Sequence, residues 1–177
     1  MRKLILLVTM ITFLIISVIG NIEAEDKIEE VVSSNESHNI IVYFPRLPDM
    51  KFVSEEIKLD NNISNEEKIL LIINRLIEGA DKANLIDVIP SGSKLNNIYI
   101  NGNTAYVDFS KEFVENHPGG SLGEYNTIYS IVNSITEIDG IEQVNFLIDG
   151  KKQAAYKGHS QFDMPISRDE SLIAINE

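Results

Sequence analysis

The chain of 177 residues contains no cysteine and no tryptophan, and only 15 Lys and Arg stand against 27 Asp and Glu. Without cysteine there is no disulfide, zinc–thiolate site, thiol nucleophile or bacterial lipid-anchor cysteine. The net charge of −12 is not offset by any basic block, which argues against nucleic acid as a partner, because phosphate binding needs clustered cations. The missing tryptophan also weighs against a sugar-stacking surface. What remains is ample for a core: 44 % of residues are hydrophobic, and the length suits one domain.

Long apolar runs are scarce too. One occurs, from Leu4 to Ile19, behind Arg2 and Lys3. Its 16 residues fall just short of the ~17–25 of a spanning helix, and Val18 and Gly20 are small enough to precede a cut. Residues 1–20 therefore read as a signal peptide, the alternative being an uncleaved N-terminal anchor; either places the rest outside the cytoplasm. Any membrane contact would run through residues 4–19, and only if they are retained. Cleavage removes two positive charges and no negative one, taking the chain from −12 to −14. Residues 21–38 hold Glu23, Glu25, Asp26, Glu29, Glu30 and Glu36 with a single Lys27, which reads as an acidic flexible linker.

Residues 39–177 carry the folding signals. Asn39 to Phe44 is a β-rich run stopped by Pro45, and Lys51 to Leu59 alternates as a second strand, hairpinned to the first. Ser64 and Glu67 have capping-box spacing ahead of Ile69, Leu70, Ile72, Ile73, Leu76 and Ile77, so a helix is expected over 64–78 with Gly79 as its stop. Leu95 to Ile100 and Thr104 to Phe109 flank Asn101-Gly102, a strong hairpin signal, with Ala105, Val107 and Phe109 on one face. A second capping box, Ser121 with Glu124, opens an amphipathic helix expected over 121–138. Gln143 to Ile148 is a further strand, Asp149-Gly150 a turn, Gln153 to Tyr156 a short edge strand, and a short turn of helix is expected after Ser167. The pattern predicts an α+β two-layer sandwich, two helices packed on one face of a small mixed β-sheet.

Motifs that would carry chemistry fail on context. Gly119-Gly120-Ser121-Leu122-Gly123 satisfies the nucleophile-elbow pattern, with Asp139 or Asp149 and then His159 following in order. A Pro-Gly-Gly loop precedes it where a strand is required, and Ser121 as a helix cap explains the same residues. Asp60-Asn61-Asn62-Ile63-Ser64 begins like a calcium loop, but Asn65 replaces the glycine and Leu71 the bidentate glutamate. His38, His117 and His159 lack metal-ligand spacing and read as exposed and inert. A carboxylate pair such as Glu112 and Glu124 reads as part of a solvated face, and Tyr43, Tyr99, Tyr106 and Tyr125 as ordinary packing. The binding candidates left are His117, Gly119, Gly120 and Ser121, where free N–H groups at a helix start would suit an anion. No catalytic, cofactor or metal residue is expected.

Ordered segments carry a family resemblance: Val42-Tyr43-Phe44, Arg75-Leu76-Ile77-Glu78-Gly79, Ile89-Pro90-Ser91-Gly92-Ser93-Lys94-Leu95 and Ala105-Tyr106-Val107-Asp108-Phe109-Ser110-Lys111. Gly120 to Glu124, Ile131 to Glu137, Val144 to Gly150 and Pro165-Ile166-Ser167-Arg168 continue it. Together they resemble the GerMN domain of sporulation and spore-germination proteins, in a single copy over roughly residues 39–170. The resemblance implies a fold like the ring-building modules of secretion systems. It also implies a non-catalytic interaction module of the bacterial envelope, whose partners would be envelope or sporulation membrane proteins. The alternatives are a wall-active hydrolase, built on Ser121 or on a carboxylate pair, and a peptidoglycan-binding module.

Overall fold

Alternation and helical spacing are both satisfied by one hydrophobic cluster in a computed structural model that describes residues 39–59 and 61–174. The signal, linker and His38 readings, and Asp60, lie outside the described residues. Strands β1 (Asn39–Pro45) and β2 (Phe52–Lys58) pair antiparallel, Asn39 opposite Lys58 and Pro45 opposite Phe52. Helix α1 (Asn65–Glu78) follows, then β3 (Leu95–Asn101), β4 (Thr104–Phe109), the one-turn α2 (Glu112–Glu115), α3 (Ser121–Ile135), β5 (Gln143–Ile148) and β6 (Ile166–Ser167). A 3₁₀ turn at Glu170–Leu172 meets the expectation of a helical turn after Ser167. The four later strands form a mixed sheet in the order β3-β4-β5-β6, with β4 and β5 parallel across the helical crossover. The architecture is α+β, its strands divided between a two-stranded ribbon and this sheet.

Helix α1 forms as its sequence dictates. The Ser64 hydroxyl accepts from the Glu67 N–H at 3.2 Å, and the Glu67 carboxylate accepts from the Ser64 N–H at 2.9 Å. Its face of Ile69, Ile72, Ile73 and Leu76 is fully buried, each side chain worth ~1.5–3 kcal/mol, so the cap sets the register while burial drives the helix. Arg75 ties it back to β2 through Glu55 at 2.5 Å.

Four expectations are corrected. The β3–β4 loop is Gly102-Asn103, one residue on from Asn101-Gly102, because Asn101 pairs with Thr104; a φ of 61° at Gly102 suits the first central position of a II′ turn. Helix α3 ends at Ile135, where Thr136 bonds back to the Val132 carbonyl and tighter i→i+3 bonds carry the chain on to Ile138. Gln153 to Tyr156 is not an edge strand; Ala155 bridges Gln161 instead, so that Tyr156 and Phe162 both bury against Phe113. β6 takes the sheet edge that this segment vacates. The fourth correction is Ser121: the N-cap of α3 is Gly120, and Ser121 makes no capping bond.

Candidate functional site

Helix α3 carries one charge in 15 residues, Glu124, and that carboxylate is completely buried. It does not reach back to Ser121. One oxygen meets His159 Nδ1 at 2.7 Å, and the other accepts the N–H groups of Ser160 at 3.0 Å and His159 at 3.2 Å. Burial alone would raise its pKa; the His159 ring and the two backbone N–H groups outweigh that and hold the carboxyl down to about 2. Glu124 is therefore an ionised latch on the 159–160 loop, and His159, exposed as expected, is its partner and so not inert.

The same helix holds a second segment nine residues further along. Asn133, fully buried, donates its amide to the Asp169 carbonyl at 3.0 Å and accepts the Asp169 N–H at 3.0 Å. The Tyr125 hydroxyl donates to the Asp169 carboxylate at 2.6 Å. Arg168 donates to the Asn133 carbonyl at 2.6 Å, to Thr136, to the Tyr43 hydroxyl at 3.2 Å, and to Glu137 and Glu170, so its guanidinium is fully engaged within the chain. Between the two fastened segments lies a cleft of about 600 Å³. Tyr125, Ile128 and Tyr129 form its floor, Ser160 and Gln161 one wall, and Met164 to Asp169 the other.

The residues singled out as binding candidates do not converge. His117 turns inward and is 5 % exposed. Its Nδ1 accepts the Gly119 N–H at 2.9 Å, while Nε2 lies 3.2 Å from the Thr127 hydroxyl, which itself donates to the Val88 carbonyl at 2.7 Å. That network leaves the ring proton on Nε2, and burial lowers the pKa below the ordinary histidine value. The ring borders a smaller recess of about 220 Å³ with Pro118, Gly123, Asn126 and Thr127. Gly120 and Ser121 face solvent, and Ser121 makes no side-chain hydrogen bond to a described residue. The glycines of the apparent elbow have structural reasons: Gly119 and Gly120 take φ of 82° and 87°, and a Cβ on Gly123 would stand 3.3 Å from the His117 ring. No group of three acidic, histidine or cysteine side chains capable of holding a metal occurs among the described residues.

Sequence reasoning missed Asn133, Asp169 and the inward role of Glu124. One signal was present: a 15-residue helix with a single charge and several small polar residues has no solvated face to spare.

Fold and cleft together define the class: a small α+β domain with a groove between one helix and a sheet edge. Residues 41–154 match the Germane family model, described as sporulation and spore germination, and the chain belongs to that family. No curated protein matches. Among solved structures, the chain is similar to a candidate lipoprotein from Clostridium perfringens, 25 % identical, with a TM-score of 0.56 over 79 % of this chain and 95 % of that one. It is also similar to the tandem GerMN domains of the sporulation protein GerM from Bacillus subtilis, 20 % identical, with a TM-score of 0.63 over 81 % of this chain and 50 % of that one. The first GerMN domain of the same protein is 17 % identical, with a TM-score of 0.57 over 75 % of this chain and 98 % of that one. The two GerM likenesses establish the fold, and this chain spans half of the tandem.

Proposed function

We propose that the protein is an extracytoplasmic, non-catalytic protein-interaction domain of the bacterial cell envelope, serving sporulation, germination or wall processes. The family match and the likeness to a candidate lipoprotein support the compartment, as does the signal-like run over residues 4–19. The observation that carries the interaction reading is the state of the polar groups around the cleft. Arg168 and Asp169 are engaged within the chain, and the buried Glu124 carboxylate latches the exposed His159, so these groups hold the groove's shape instead of facing a reacting atom.

The test is a photo-crosslinking amino acid at the exposed position Gln161, in the full chain expressed in its own cells. A discrete adduct with one envelope protein is expected, together with no labelling of the purified chain by a fluorophosphonate probe. Stoichiometric labelling that disappears in both Ser121→Ala and His159→Ala would overturn the non-catalytic reading. Release of wall fragments by the purified chain would do the same.

A further inference from the structure

We propose that the cleft seats a basic, extended segment of a partner protein, which runs along β6 and lays an apolar side chain over Tyr125 and Tyr129. The proposal rests on the interaction reading and names the occupant of that groove.

The floor is apolar and already shaped. The Tyr125 and Tyr129 rings lie 4.3 Å apart, tilted by 46°, with Ile128 beside them. Met164 stands 56 % exposed on the rim, and Leu122, 53 % exposed, extends the stripe of α3 that carries Tyr125 and Tyr129 at i, i+3 and i+7. Exposed side chains of this size in line with a groove are what an apolar anchor would cover.

The polar groups argue against a phosphate. Its bidentate recognition uses a free cationic fork, and Arg168 has none: its N–H groups go to Asn133, Thr136, Tyr43, Glu137 and Glu170. Asp169 accepts from Ser171 on one oxygen and from Tyr125 on the other. The Tyr129 hydroxyl has no partner among the described residues, which suits a single bond to a passing backbone.

β6 supplies the direction. It pairs with β5 on one side, Gln143 opposite Ser167 and Val144 opposite Ile166, and no described strand pairs with its other side. The groove runs beside this edge, the geometry in which an extended segment adds main-chain bonds while its alternate side chains enter a pocket. Charge sets the composition. The Arg168 cation faces two carboxylates, Glu137 and Glu170, and Asp169 at the groove adds a third negative charge against the one further cation beside it, Lys51, in a chain of net charge −12. A lysine- or arginine-bearing segment is drawn to this rim and an acidic one repelled.

The experiment selects random dodecapeptides displayed on phage against the full chain, then measures synthetic winners by fluorescence anisotropy. Enriched peptides are expected to carry net positive charge around a large aliphatic or aromatic residue, and to weaken as salt rises. Met164→Lys, at an exposed position that leaves the core untouched, is expected to weaken them by about tenfold or more. Leu70→Lys, on the exposed side of α1, is expected to leave them unchanged. Acidic winners, winners that bind Met164→Lys as tightly as wild type, or saturable binding of chitotetraose at the tyrosines would overturn the proposal. If crosslinking from Gln161 captures an envelope protein while the peptides ignore Met164→Lys, the interaction reading stands and this occupant falls. If labelling instead reveals a nucleophilic Ser121, the interaction reading itself falls.

Discussion

Glu124 has one carboxylate and three donors, none of them within its own helix turn. Removing it strands two backbone N–H groups and frees the 159–160 loop, so Glu124→Ala should cost roughly 2–4 kcal/mol in a urea melt at neutral pH. Its titration has a definite sign. The folded carboxyl sits at about 2, below the ordinary 4.5, so the unfolded chain takes up the proton first as pH falls. The stability it contributes is fully present above pH 4.5 and drains away between 4.5 and 2. His117 acts earlier: held neutral by burial, it binds its proton less readily folded than unfolded, so stability starts to fall below its ordinary value of 6.5. Melts across this range should show two acid-side losses, and Glu124→Ala should shrink only the lower one, to which Asp169, also held below its ordinary value, continues to contribute. Ser121 marks the contrast. Exposed and uncapping, its change to Ala should shift stability by less than ~0.5 kcal/mol, whereas Ser64→Ala should cost about 1 kcal/mol by loss of a formed box.

Elements were legible where their determinants are local. The box at Ser64 and the apolar face behind it lie within 14 residues, and α1 follows the expected course. The same Ser-x-x-Glu spacing at Ser121 reads identically, yet Glu124 is claimed by N–H groups 35 and 36 residues away, which no local pattern encodes. The two residues of β6 are too few to show a period, and Gln153 to Tyr156 alternates well enough to be mistaken for its replacement. The hairpin was found and its loop displaced by one, since Asn-Gly and Gly-Asn overlap in Asn101-Gly102-Asn103. Gly102→Val should still be costly, about 1–2 kcal/mol, because a β-branched residue resists φ of 61° although nothing lies within 4 Å of its Cβ. Thermal melting of that variant against an exposed β3 change such as Asn97→Thr is the check.

For the whole molecule, acidity and the anchored groove act together. A net charge of −12 places mutual repulsion on the folded state, so the melting temperature should rise as salt is added from low ionic strength, where the screening length shrinks toward ~10 Å at 0.1 M. Both banks of the groove are moored to one rod: Glu124 holds one, Asn133 the other, and nine residues of uninterrupted helix separate the moorings. At 1.5 Å per residue that is about 13 Å, a length the helix cannot stretch without breaking its own ladder. The groove is thus built like a caliper set to one opening. A guest of the kind proposed would be selected by girth, since spreading the banks would first require breaking the bonds at Glu124 or Asn133.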